Sequence, residues 1–260
     1  MDKQYTIGDL LEIVKTLRGE NGCPWDRAQT HESLKKGMIE EAYEAIDALD
    51  AGDDKLFANE LGDVLLQVVF HGVLAQERGV FDFDTILNEI CTKLISRHSH
   101  VFGKDRAGSA EEALKTWEEN KKKEKGQDTY TETLLDVPSS LPALMRAEKV
   151  QKKASAAGFD WPAADGAAEK ISEEAQELLA ASADGEPAQI AEEYGDLLFS
   201  VVNLGRFLKI TPELALTAAT NKFIRRFGAM EAAAKVQGKD FQKLDLAEKD
   251  EIWNKIKQKS

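Results

Sequence analysis

The sequence predicts an all-α protein built as two tandem helical domains, on three observations. Apolar residues recur at helical spacing over most of the chain, no comparable run alternates at strand period, and one 31-residue stretch occurs twice.

The elements follow in chain order. Leu10, Ile13, Val14 and Leu17 fall on one helical face. A second face is predicted from Ile39, Ala42, Ile46 and Leu49, with Glu41 and Glu44 pointing away from it. Gly52 should turn the chain into a third helix, where Leu61, Val64, Leu65 and Val68 form the stripe and Glu60, Asp63 and Gln67 border it. Segment 119–140 is polar and charge-dense. It predicts a linker at 126–140 between an N-terminal domain (1–125) and a C-terminal domain (141–260). All six prolines, Pro24, Pro138, Pro142, Pro162, Pro187 and Pro212, sit at the edges of periodic stretches.

A chain of 260 residues with 42% hydrophobic content can fill two cores. The start, MDKQYTIGDL, lacks a basic segment followed by an apolar one, and no window reads as a membrane span, so a cytoplasmic protein with no membrane partner is expected. Cys23 and Cys91 lack metal or disulfide spacing and read as reduced thiols. The formal charge of −13 argues against a nucleic-acid backbone as partner, because such binders neutralise phosphates with Lys and Arg. A free nucleotide is another matter, since it arrives with a divalent cation that carboxylates can hold.

Residues 40–70 align without a gap to 173–203, with 13 identities at an offset of 133. Chance would supply about two. Gly22-Cys23-Pro24-Trp25 is echoed upstream of the second copy by Gly158-Phe159-Asp160-Trp161, and Lys93-Leu94 with Arg97-His98 is echoed by Lys222-Phe223 with Arg226-Phe227. Five acids keep register: Glu40, Glu41, Glu44, Glu60 and Asp63 match Glu173, Glu174, Glu177, Glu193 and Asp196. Residues three apart on a helix are neighbours, so each helix offers a carboxylate pair. Four carboxylates at about 5 Å repel by roughly 3 kcal/mol per pair at an effective dielectric near 20. A solvated acidic face is the ordinary fate of a single EExxE. Retention of all five acids in both copies instead points to a divalent cation, and all-oxygen ligation selects Mg²⁺, with Mn²⁺ as a substitute. Gly62 and Gly195, inside strong helices, suggest either a close neighbour or tight packing.

The doubled arrangement, Glu40-Glu41-Ala-Tyr-Glu44 with Glu60-Leu-Gly-Asp63 and Glu173-Glu174-Ala-Gln-Glu177 with Glu193-Tyr-Gly-Asp196, resembles the MazG family signature. The similarity extends to GCPWDRAQTHESL (22–34), RHSHVFG (97–103) and NKFIRRF (221–227), nearly the whole chain. Ser99 stands where members often carry proline, and Gly205 where alanine is common. The resemblance implies tandem MazG-like domains contributing to four-helix-bundle assemblies, Mg²⁺ dependence and homodimers. It also implies cleavage of the α-β phosphoanhydride of ribo- and deoxynucleoside triphosphates to give monophosphate and pyrophosphate. Such an enzyme is a nucleoside triphosphate diphosphatase serving nucleotide-pool housekeeping.

On this reading Glu174, Glu177, Glu193 and Asp196 hold Mg²⁺, and Glu173 orients or deprotonates the attacking water. Lys222 and Arg226 share a helix face and are expected to meet the phosphates, with Arg225 either doing the same or forming surface salt bridges. The resemblance gives Trp253 a nucleotide contact, whereas its position beside Ile252 and Ile256 reads as core. Glu41, Glu44, Glu60 and Asp63 form a second possible metal site, followed by Lys93 and Arg97; the resemblance credits catalysis to the C-terminal copy. His98 and His100 align with none of the acids and read as structural or phosphate-side residues. A ferritin-like di-iron protein requires Glu-x-x-His, which none of the four histidines satisfies. A non-catalytic nucleotide-sensing scaffold is the remaining alternative, and the sequence identifies no protein partner.

Overall fold

The computed structural model describes residues 4–258, and every element among them is helical. The chain divides into two compact units, Met1–Glu124 and Lys125–Ser260.

The first unit contains α1 (Ile7–Arg18), α2 (Pro24–Ala28), α3 (His31–Ala51), α4 (Asp54–Glu77), α5 (Phe83–Arg97), α6 (Ser99–Phe102) and α7 (Ala110–Glu124). Helix starts are written into the sequence. Thr6, Thr30 and Asp82 each accept from a backbone N–H three residues on while that residue's side chain answers, a reciprocal cap for donors that would otherwise be orphaned. Helix α3 ends at Gly52, whose φ of +68° is the left-handed conformation that a Cβ disfavours. That turn lays α4 against α3 as a hairpin, and α1 packs on α4. The core of the unit is Val14, Leu34, Val69, Phe70, Val73, Leu74 and Phe83. Arg18 closes it from above: its guanidinium lies 5.5 Å from the Phe70 ring centre and donates twice to Glu77, each bond 2.7 Å.

The stripe predicted for α3 is wrong in phase. Ile39, Ala42 and Leu49 are exposed and Ile46 is half-buried; Leu34, Ala45 and Ala48 face inward instead, and Glu41 shares their side. On α4 the buried run begins later than the predicted stripe, at Val69, while Leu61 and Leu65 remain exposed. The misplaced apolar residues are real apolar surface, but they lie outside the core of a single chain.

Near the start of α3, His31 stacks on His71 of α4 with the rings 5° from parallel and the two Nδ1 atoms 2.7 Å apart. Only a neutral imidazole can supply the lone pair for that bond. Burial, and then His31, push the His71 pKa below its usual value. A folded pKa below the unfolded one means that the unfolded chain takes up the proton first. The stabilisation is therefore present above about pH 6.5 and is lost as pH falls through the lower folded value. Thermal midpoints recorded between about pH 7.5 and pH 5 should fall less steeply for His71→Gln than for the parent; equal slopes would refute the link.

The second unit contains α8 (Tyr130–Leu135), α9 (Ala143–Ala156), α10 (Ala164–Asp184), α11 (Pro187–Phe207), α12 (Pro212–Val236), a 3₁₀ turn at Phe241–Lys243, and α13 (Leu246–Lys257). The segment read as linker, 126–140, holds α8, which is capped by Thr129 and packs on α9 within this unit. Helices α10 and α11 form a hairpin around Gly185, whose φ is +76°. Helix α9 packs on α11 and α12, and α12 on α13. The bounds of α10 repeat those of α3 at an offset of 133, so the duplication extends to the whole helix and its glycine cap. Met230, Ala234, Leu244 and Ile252 form a core between α12 and α13, with Trp253 packed against it.

Candidate active site

The α3–α4 and α10–α11 hairpins each bring acids from two helices to one focus. In the first unit, Glu41, Glu44 and Glu60 each present a carboxylate oxygen within 4.8 Å of the others; in the second, Glu174, Glu177 and Glu193 do the same. The two αL glycine turns cause this convergence, because they fold successive helices antiparallel with the EExxE and ExxD faces opposed. Glu60 is 8% exposed and Glu174 is 5% exposed, values rare for a carboxylate without a strong partner.

Electrostatics mark both foci. The Glu41 pKa is raised by burial and then by Asp63, Glu44, Glu60 and Glu40. That of Glu193 is raised by burial and then by Glu177, Glu174, Asp196 and Glu192. Asp63 and Asp196 are therefore close enough to repel, yet neither belongs to the tight trio. Asp63 instead accepts from Asn59 at 3.4 Å, and Asp196 lines an adjoining cavity. A hard cation fits such a site: the donors are all oxygen, crowded, and destabilised by one another's charge.

The fifth acid of each set is engaged elsewhere. Lys36 lies 2.8 Å from Glu40, and Lys170 lies 2.8 Å from Glu173. Lys170 also reaches Glu174 at 2.5 Å, and both hydrogen bonds push its pKa upward. Sequence reading missed this lysine. It aligns not with Lys36 but with Gly37, so the register that sets a cation beside the buried Glu174 carries a glycine in the first unit. The signal was available as a departure from the repeat, just upstream of the aligned block.

The predicted phosphate ligands form a separate group on α12 and α13. Lys222 and Arg225 are exposed, Arg226 is half-buried with its guanidinium 5.8 Å from the Trp253 ring centre, and Phe223 packs on the same indole at 5.5 Å. Trp253 thus serves the α12–α13 core and shows a face to Arg226. In the first unit, Arg97 makes a paired contact with Glu124 and lies over Trp117, while Lys93 lies 3.7 Å from Glu89. His98 and His100 stand 5.7 Å apart and belong to neither carboxylate group. A Cβ at Gly62 or Gly195 would meet nothing within 4 Å, so no helix of the same chain requires either glycine. Ser99 donates to Asp105 at 2.5 Å and accepts from Asn120 at 2.8 Å, bonds that a proline there could not make.

Comparison with known proteins agrees with this geometry. The model of the MazG nucleotide pyrophosphohydrolase domain matches the chain twice, at residues 29–102 and 165–228. A Thermotoga maritima protein named nucleoside triphosphate pyrophosphohydrolase/pyrophosphatase MazG is 46% identical over 96% of this chain and 94% of its own length. The nucleoside triphosphate pyrophosphohydrolase of Escherichia coli K12 is 42% identical over 96% and 97%. The Bacillus subtilis protein YabN is 44% identical over 98% of this chain, which spans 52% of that longer protein. Each matched region contains one carboxylate trio.

Proposed function

Because this chain belongs to the MazG family of nucleotide pyrophosphohydrolases, we propose that it hydrolyses the α-β phosphoanhydride of ribo- and deoxynucleoside triphosphates, releasing pyrophosphate, at the carboxylates of its second unit. The observation that carries this reading is the convergence of Glu174, Glu177 and Glu193 from two helices within 4.8 Å. These residues, joined by Asp196, would hold Mg²⁺ or Mn²⁺, which when bound supplies charge neutralisation on the phosphates. The chain's own groups do the rest. Glu173, paired with Lys170 at 2.8 Å, would orient or deprotonate the attacking water, and Lys170 balances Glu174 when that acid has no other partner. Lys222, Arg225 and Arg226 supply cationic donors on α12. The trio Glu41, Glu44 and Glu60, with Asp63, is a second candidate metal site.

A second copy of the chain is the partner we infer. Tyr194, Leu198 and Val201 on α11 and Leu179 on α10 are 40–71% exposed, and Ile39, Leu61 and Leu65 expose a matching face in the first unit. Two hairpins meeting on these faces make a four-helix bundle. Among the described residues no helix is long and apolar enough to cross a membrane. The free thiols Cys23 and Cys91 suit a reducing cytoplasm, and the net charge of −13 suits no nucleic-acid partner.

The test is to incubate the protein with Mg²⁺ and a panel of triphosphates and to quantify pyrophosphate against orthophosphate, with the solution mass measured by sedimentation. Pyrophosphate with nucleoside monophosphate and a two-chain mass are expected. Orthophosphate alone would defeat α-β cleavage, absence of any product would favour the nucleotide-sensing scaffold, and a one-chain mass would defeat the dimer.

A further inference from the structure

His31 and His71 stand outside both carboxylate groups, and His31 lies about 15 Å along α3 from Glu41 at the helical rise of about 1.5 Å per residue. Their rings are 5° from parallel with centres 5.0 Å apart, yet the two Nδ1 atoms are only 2.7 Å apart. The nitrogens are much closer than the rings, so the pair meets through its Nδ1 edges. Both residues are half-buried, which shelters the meeting point and leaves it within reach of solvent. Their backbones are fixed as well. His31 is the first residue of α3, pinned by the reciprocal cap of Thr30 and Ser33. Gly72, beside His71, brings α4 so near α5 that an added Cβ would lie 3.4 Å from the Phe83 Cβ. The other histidine pair lacks this convergence, because His98 Nδ1 donates to the Leu94 carbonyl at 2.7 Å.

The duplication shows that the fold does not require imidazoles here. At the offset of 133, His31 corresponds to Ala164, the first residue of α10, and His71 to Leu204 of α11. The second hairpin thus carries two apolar residues at this register, both half-buried. Withdrawing two polar rings from water costs free energy that an apolar pair avoids, so packing alone does not account for the histidines. The lowered His71 pKa keeps that ring neutral, the form in which imidazole binds metals.

We propose that His31 and His71 form a binding site for a divalent ion of the first transition row, with Zn²⁺ as its probe, chemically separate from the oxygen sites that suit Mg²⁺. Imidazole nitrogen selects Zn, Ni and Cu, whereas carboxylate and water suit Mg. Zn–N bonds of about 2.0–2.1 Å at a tetrahedral angle set two nitrogens about 3.3 Å apart. From 2.7 Å, the Nδ1 atoms need to part by only about 0.6 Å, a small rotation of either ring. The ion takes the place of the hydrogen shared between the two Nδ1 atoms. That hydrogen moves to Nε2 of its own ring, and both rings stay neutral. Two protein nitrogens leave the remaining positions to water, which makes this an exchangeable site of micromolar affinity and not a closed structural centre. The ion ties α3 to α4 at the end of the hairpin opposite the Gly52 turn, and the net charge of −13 draws cations to the protein.

The test titrates Zn²⁺ into the full-length chain, stripped of metal by chelation, in excess Mg²⁺, which fills oxygen sites without competing for imidazole. Binding is read from the thermal midpoint and from ¹H–¹⁵N spectra of the histidine rings, assigned by single substitutions. One equivalent of Zn²⁺ should move the His31 and His71 signals to the pattern of a ring bound through Nδ1 and protonated at Nε2, and should raise the midpoint. Partners that merely orient a metal-bound histidine are worth about 10–100-fold in affinity, so removing a ligand in His31→Ala or His71→Gln should weaken binding about a hundredfold or more. The double variant His31→Ala with His71→Leu installs the second unit's own residues at this register, and it should fold while losing the site.

Zn²⁺ binding of parental strength in the double variant would overturn the proposal and assign the ion to the carboxylates or to Cys23 and Cys91. Ring shifts confined to His98 and His100 would overturn it as well, and so would histidine spectra that Zn²⁺ leaves unmoved. Should a single substitution disturb the packing of α3 on α4, the double variant decides.

Discussion

Glu193→Gln should reduce Mg²⁺-supported release of pyrophosphate roughly a thousandfold, the scale on which a lost charge-stabilising group at a reacting phosphate or acyl centre is felt. The amide preserves the shape of the side chain but removes one of three converging charges. The same change should not weaken the metal-free fold. Burial and the neighbouring acids already hold the Glu193 pKa above its ordinary value, so the ionised carboxylate is strained where it stands. A raised carboxyl pKa means that the folded state binds the proton more readily than the unfolded one, and stability is lost as pH rises through that window. The neutral amide escapes this loss. Without added metal, the Glu193→Gln protein should melt at or above the parent's temperature at neutral pH, and added Mg²⁺ should raise its midpoint less than the parent's. Glu60→Gln, the matching change in the first unit, should leave most of the hydrolysis in place. Near-parental turnover by Glu193→Gln would remove the second unit's trio from the reaction.

How much of this site could be read in advance follows from which interactions are local. The carboxylate pairs are i, i+3 relations within single helices, and the glycine at Gly52 or Gly185 that folds two helices together leaves a direct mark in sequence. The acids, the hairpins and the repeat were therefore legible. Helical phase was not. Ile39 and Leu49 form as good an apolar stripe as Ala45 and Ala48, and only contact with α4 decides which of them a single chain buries. The apolar stripe drew the prediction outward and left Glu41 on the wrong side. The expectation that Asp196 is a ligand rests on its i, i+3 spacing from Glu193. In the structure Glu174, Glu177 and Glu193 form the tight trio, and Asp196 lines the adjoining cavity together with Glu174. That cavity depends on α9 meeting α11 across some fifty residues, Gln151 with Phe199, a pairing that helical periodicity does not encode.

Phe70→Asn, which installs the second unit's Asn203 at the matching register, should destabilise the first unit by about 4 kcal/mol. The second unit carries asparagine at this register, so the backbone tolerates it; the cost lies in what surrounds the side chain. Phe70 packs with Val14, Leu34, Val73 and Phe83 and carries the Arg18 guanidinium over its ring. Removing the ring leaves a void, a loss of about 3–5 kcal/mol for phenylalanine truncated to alanine, and the buried amide adds an unmet hydrogen-bonding demand. Arg18 loses its aromatic platform but keeps Glu77, which limits further damage. Denaturant unfolding followed by helical circular dichroism would measure the change. A loss below about 1 kcal/mol would mean that the first unit already contains space or donors for the amide. A loss near the expected size would show that one position in a duplicated helix serves core packing in the first unit, while its counterpart Asn203 lines a cavity in the second.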